Sequence, residues 1–124
     1  MTATMSKQQH LQDTLTALRS NLPELRGVLV ATADGLPIAQ LMGQGTDANR
    51  VAAMAATAIG LGKRINDTLG SGTLTEMSVS GSDGQVYIYA AGKGVLAVVA
   101  PSGMNLGLLH MEARDTAFAI ASVL

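Results

Sequence analysis

The residues best equipped for chemistry are two histidines, His10 and His110, and a few Gly-Lys and Gly-X-Gly groupings. A phosphate-cradling loop needs a glycine, four spacer residues and then Gly-Lys-Ser/Thr, so that backbone amides and the lysine converge on the phosphates. Gly62-Lys63 is followed by Arg64 and Gly92-Lys93 by Gly94, and neither has the earlier glycine. The dinucleotide fingerprint fails as well. Gly43-Gln44-Gly45, Gly70-Ser71-Gly72 and Gly92-Lys93-Gly94 all lack the third glycine and read as turns in which glycine supplies positive φ. In the run His110-Met111-Glu112-Ala113-Arg114-Asp115 the glutamate stands two residues from the histidine and points elsewhere on a helix, so no His-Glu-x-x-His metal pair arises. Glu112, Arg114 and Asp115 read as a solvated helix face, and no nucleophile has a base beside it. The sequence predicts no catalytic residues, no metal ligands and no cofactor, hence a chain that is not itself an enzyme.

Composition narrows the partners. Net charge is −1, eight basic residues are scattered along the chain and aromatics make up 2%, leaving neither a phosphate-attracting patch nor a base-stacking platform, so nucleic acid is excluded. There is no cysteine, and nothing marks the chain for an oxidising compartment. The N-terminal MTATMSKQQHLQDTL has no apolar signal core, and no run reaches the ~18 apolar residues of a spanning helix, so membrane insertion is not expected and a cytoplasmic location is. With 48% hydrophobic and only 14% charged residues, the chain has too little charge to cover an ordinary small-domain surface generously. Some apolar surface should be covered by another chain.

The elements that must position any site follow from periodicity. Leu11, Leu15, Leu18 and Leu22 form one stripe of a first helix, with Ser6 and Gln9 spaced as a capping box and Pro23 as the stop. GVLVATADGLPIAQL reads as a hairpin turning at Asp34-Gly35, its second strand kept at an edge by Pro37. Thr46 or Asp47 caps a long helix that reaches about Leu69 and stops at Gly70-Ser71-Gly72. TLTEMSVS, QVYIYAA and GVLAVVA form an antiparallel meander with turns at Ser82-Asp83-Gly84 and Gly92-Lys93-Gly94. A closing helix buries Leu106, Leu109, Ala113, Ala117, Ile120 and Leu124. GVLVATA and GVLAVVA, apolar at successive positions, are central strands, and TLTEMSVS is an edge.

The long helix carries two apolar arcs. At about 100° per residue, Val51, Met54, Ala58, Leu61, Ile65 and Leu69 share one arc, which the size of its side chains assigns to the core. Ala52, Ala56 and Gly60 lie on a second, shallow arc beside Ala55 and Ile59, and Lys63 continues the row. Small residues four apart admit another backbone, which predicts an antiparallel pairing of this helix with its own copy across a twofold axis. The alternative is that the alanines record helix propensity alone. The following edge strand, with Thr75 and Met77, could pair across the same axis.

In this order, the segments GVLVATADGLPIAQ, the alanine-rich helix and GSGTLTEMSVSGSDGQVYIYAAGKGVLAVVAPSGMNLGLLHMEAR resemble the Roadblock (dynein light chain) family over residues 6–124. Thr32 to Ala39, Val95 to Val99 and Asn105-Leu106-Gly107 carry the likeness. The resemblance implies an α+β sandwich of order α-ββ-α-βββ-α, Roadblock/profilin-like. Its five-stranded, mainly antiparallel sheet has the long helix on one face and two helices on the other. It implies one such domain over 6–124 after a disordered 1–5, and a homodimer joined by the long helix and third strand. The expected interface residues are Ala52, Ala55, Ala56, Ile59, Gly60, Lys63, Thr75 and Met77. It further implies a Ras-like small GTPase as partner, because bacterial members resembling MglB activate or co-regulate such enzymes.

A protein without a nucleotide site can act in this way by ordering the GTPase's own residues. Arg50, Lys63 and Arg64 are candidate contacts with the GTPase, not catalysts. The other readings are a dimeric scaffold that leaves GTP turnover unchanged, and a small-ligand sensor, for which no cluster of polar anchors appears in the expected core.

Overall fold

The computed structural model describes residues 6–124; the expectation for residues 1–5 lies outside them. Helix α1 spans Lys7–Asn21, β1 Gly27–Thr32, β2 Pro37–Leu41, α2 Ala48–Leu69, β3 Glu76–Gly81, β4 Gly84–Ala91, β5 Gly94–Pro101 and α3 Leu106–Ala121. The sheet order is β2-β1-β5-β4-β3 and every pairing is antiparallel. β1 and β5 are therefore interior, and β2 and β3 are the edges, as the run of apolar residues in the first pair and Pro37 and Glu76 in the second require.

Each helix starts on a side chain that accepts otherwise unpaired amides. Ser6 Oγ accepts from Gln9 N at 3.1 Å, Asp47 Oδ1 from Asn49 N at 3.0 Å, and Asn105 Oδ1 from Leu108 N at 3.1 Å. The capping box at Ser6 is only half formed, because the Gln9 amide turns forward to donate to Asp13 Oδ1 at 2.9 Å. Helix α2 ends on Gly70 in the left-handed region, φ 66°, with Gly70 N and Ser71 N both donating to Asn66 O.

Alternation along the strands splits the core into two layers. Leu11, Leu15 and Leu18 of α1 and Leu109, Ala113 and Ile120 of α3 pack on the sheet face carrying Val28, Val30, Tyr89, Leu96 and Val98. The other face presents Leu29, Ala31, Ile88, Val95 and Ala97 to α2 alone. Leu106, expected in the core, is 41% exposed at the first residue of α3, before the helix has closed over the sheet.

The packing of α2 reverses the sequence expectation. The buried residues are Ala52, Ala55, Ile59 and Gly62, while Met54, Leu61, Ile65 and Leu69 are 47 to 72% exposed. The buried arc is displaced by one residue, about 100°, from the arc of large side chains. The cause is proximity. A Cβ on Gly62 would lie 2.9 Å from Leu74 Cδ2 and 3.2 Å from Met77 Sδ, and one on Gly35 in the β1–β2 turn would lie 3.1 Å from Ala53 Cα. A helix this close to the sheet and turn has room only for small side chains, and the sheet's own Leu29, Ile88 and Val95 fill the layer.

Candidate protein interface

Inverting the helix leaves a contiguous apolar surface open. Met54, Leu61, Ile65 and Leu69 project from one flank of α2, and Val79, on the same side of the sheet, is 56% exposed on β3. Between them runs an apolar groove of about 670 Å³, lined among others by Met42, Val51, Met54, Val79, Val86 and Val99. α2 covers the part of the sheet bearing Leu29 and Val95 and leaves the part bearing Val86 and Val99 open. An exposed apolar area of this continuity marks an interaction surface.

The two sheet edges are not equivalent. On β2 the side chain of Gln12 imitates a neighbouring strand: its Nε2 donates to Gln40 O at 2.9 Å and its Oε1 accepts from Gln40 N at 3.3 Å. The β3 edge has no such cover among the described residues. Ala90 N donates to Thr75 O at 3.0 Å, so the alternation of an antiparallel ladder turns the backbone groups of Glu76, Ser78 and Ser80 outward. The edge next to the apolar flank is the one open to pairing.

The expected interface residues are divided by this geometry. Ala52, Ala55 and Ile59, expected at the contact with a twin, are at most 3% exposed against the chain's own sheet, and the small row is what lets the helix settle onto it. Ala56 is partly buried, and Gly60 and Lys63 are exposed, on the flank turned away from Leu61 and Ile65. Thr75 is exposed and Met77 partly buried beside α2. Arg50 and Arg64 are exposed and in no ion pair among the described residues. They sit on the polar side of α2, about 21 Å apart along its axis.

A polar cluster that the sequence reading missed ties β3 to α3. Glu76 accepts from Arg114 Nε at 2.8 Å and lies 3.3 Å from His110 Nδ1, which in turn meets Tyr89 Oη at 2.7 Å. The His110 ring stands edge-on to Tyr87 with centroids 4.9 Å apart. Burial, and secondarily the charge of Glu76, push the Tyr89 hydroxyl well above the usual tyrosine range, so it stays protonated and can donate. The bond to Glu76, with its charge, raises the Arg114 guanidinium further. Arg114 is thus not a purely solvated residue, and Glu112 is also engaged, accepting from Asn21 Nδ2 at 3.2 Å. The usable signal was the i, i+4 spacing of His110 and Arg114 opposite a lone carboxylate in an edge strand. Among the described residues no group of three or more His, Asp or Glu side chains is placed to hold a metal, and no helix is long and apolar enough to cross a membrane.

Comparison with known proteins places this geometry in a family. The chain is 34% identical over 93 residues to the uncharacterized protein MJ0310 of Methanocaldococcus jannaschii, covering 75% of this chain and 82% of that one. Its fold is similar to Myxococcus xanthus MglB, with TM-score 0.87 at 14% identity over 99% of this chain and 93% of that one. It is likewise similar to a Roadblock/LC7 domain from Streptomyces avermitilis, with TM-score 0.83 at 19% identity over 90% and 94%. The family model for the Roadblock/LC7 domain matches residues 11–100, from the first buried leucine of α1 to the end of β5, and the chain belongs to that family.

Proposed function

We propose that the chain is a twofold homodimer joined through the exposed flank of α2 and the open edge of β3, and that the dimer is a docking platform for a Ras-like small GTPase in the cytoplasm. The observation that carries the dimer is the continuity of Met54, Leu61, Ile65 and Leu69 with Val79 beside an uncapped edge. Family membership and the likeness to MglB support the choice of partner. In this reading the partner side chains cover the open flank and groove instead of the alanine row, while Thr75 and Met77 stay at the β3 side of the contact.

The protein acts without a phosphate loop of its own, by ordering the GTPase's residues or fixing its location. Arg50 and Arg64 on the polar side of α2 are the contacts offered to the GTPase, with Lys63 on the neighbouring flank. The test is retention of native proteins on the immobilised chain in the presence of a non-hydrolysable GTP analogue or of GDP, followed by hydrolysis assays with the purified partner. Preferential retention of a P-loop protein of Ras size in the GTP state, and a changed hydrolysis rate, are expected. Partners held regardless of nucleotide, with GTP turnover unchanged, would replace this reading with that of a dimeric scaffold.

A further inference from the structure

A second surface lies at the β3 edge of the sheet, where α3 runs beside the start of β3. There a hollow of about 500 Å³ is bounded by Leu74, Glu76, Arg114, Ala117, Phe118 and Ala121. Phe118 is the only phenylalanine in the chain and is 80% exposed. It stands one turn after Arg114 on the same side of α3, and a rigid aromatic beside an arginine over an apolar recess is the pairing that dominates binding energy at protein contacts.

The charge at this rim is unbalanced. Glu76 is the one carboxylate in the wall of the hollow and is already bonded to Arg114. That bond uses only Nε of a guanidinium that is 59% exposed, and the Nη groups have no partner among the described residues. At the far end the β4–β5 turn abuts Ala121, with a Cβ on Gly92 falling 3.0 Å from Ala121 Cβ. The next residue, Lys93, is exposed and in no ion pair among the described residues. One partly free guanidinium thus lines an apolar recess whose single acid is neutralised, and a second exposed cation stands in the turn next to its Ala121 end.

We infer that this α3 hollow binds an acidic segment of a partner protein, with a carboxylate on the free Nη groups of Arg114 and an adjacent large apolar side chain packed on Phe118 in the recess. The Arg114 fork is suited to a second carboxylate, since it is planar and offers five donors of which one is used. The α3 wall of this surface lies across the sheet from α2, whereas its strand wall, Leu74 to Glu76, adjoins the β3 edge, so the inference rests on the proposed dimer leaving this end of the edge uncovered.

The test is selection of a random dodecapeptide library displayed on phage against the purified full chain, followed by anisotropy titration of the enriched peptide. Enriched sequences are expected to carry Asp or Glu next to Leu, Ile or an aromatic residue. Phe118→Ala should weaken binding about tenfold or more, and Lys93→Glu should weaken it without touching the Glu76–Arg114 pair. Arg19→Ala, on α1 beside Leu41 at the β2 edge, should leave binding unchanged. Phe118 is largely exposed, so its truncation spares the core, and a circular dichroism melt verifies this. Absence of enrichment, enriched peptides lacking acidic residues, or undiminished binding to Phe118→Ala would overturn the assignment.

Discussion

Two glycines, two residues apart in α2, report which face of the helix meets the sheet. A Cβ on Gly60 has nothing within 4 Å, whereas one on Gly62 falls 2.9 Å from Leu74 Cδ2, 3.2 Å from Met77 Sδ and 3.4 Å from Leu74 Cδ1. Both sit in a helix interior, where alanine is favoured over glycine by about 1 kcal/mol. Gly60→Ala collects that gain without a contact cost, so its melting temperature should rise by about 4 °C in a domain of this size. At Gly62 the same gain opposes overpacking of about 1 to 3 kcal/mol, because Leu74 is nearly buried and can yield only partly. Gly62→Ala should be neutral or destabilising by up to about 2 kcal/mol, and Gly62→Leu worse. The assay is thermal and urea denaturation followed by circular dichroism at two protein concentrations, with the Gly60→Ala shift independent of concentration because Gly60 faces away from the open flank. If Gly62→Ala stabilises as much as Gly60→Ala, the helix does not lie on the sheet at this position and the orientation of α2 is wrong.

The remaining predictions address the interface, the polar cluster and a cap. Leu61 and Ile65 are each about half exposed, so completing their burial is worth about 1 kcal/mol per side chain. A twofold contact counts each residue twice, so the double variant Leu61→Ala, Ile65→Ala should raise the dimer dissociation constant by about a thousandfold in sedimentation equilibrium; an unchanged constant would remove α2 from the interface. Tyr89 has a raised hydroxyl pKa in the folded state. Its neutral form therefore stabilises the fold fully below the unfolded value near 10, and the contribution is lost as pH rises above it. Tyr89→Phe should lose about 1 kcal/mol at neutral pH with the hydrogen bond to His110 and show a shallower fall in urea stability above about pH 10 than the parent. Asn105→Ala removes the acceptor for Leu108 N and should cost about 1 kcal/mol in the same assay, without affecting dimer mass.

Much of the scaffold was legible because it rests on local rules. The leucine stripe of α1, the turn at Asp34-Gly35, the stop at Gly70 and the meander all follow from side-chain period and from residues with restricted backbone geometry, and all stand in the structure. The edges were legible because Pro37 lacks a donor and Glu76 interrupts an apolar strand. The Glu76–Arg114–His110–Tyr89 cluster was hidden, since it joins a strand to a helix more than thirty residues later through side chains that read singly as surface. What periodicity could not decide was which arc of α2 points inward. Two apolar arcs one residue apart are both consistent with a helical period, and choosing the bulkier as the core assumes a helix held at ordinary distance.

That assumption fails where the sheet supplies the bulk. Leu29, Ile88 and Val95 rise from a face covered by one helix only, and with Gly62 pressed toward Leu74 and the turn at Gly35 pressed toward Ala53, the space beneath α2 admits alanine and little more. The large residues of the helix are then excluded from the core by geometry, and a chain with only 14% charged residues leaves them on the surface unless a second chain covers them. The small row and the apolar flank are consequences of one arrangement. Ala52, Ala55 and Gly62 allow the close approach, and Met54, Leu61, Ile65 and Leu69 are what that approach leaves outside. A substitution that pushed the helix outward, such as Ala55→Leu, should therefore lower stability by about 1 to 3 kcal/mol and weaken self-association in parallel. Leu61→Ala should weaken association while leaving the urea stability of the isolated protomer nearly unchanged. Separate responses of this kind would assign the two arcs to the two roles, whereas parallel losses in both variants would mean that the flank belongs to the core after all.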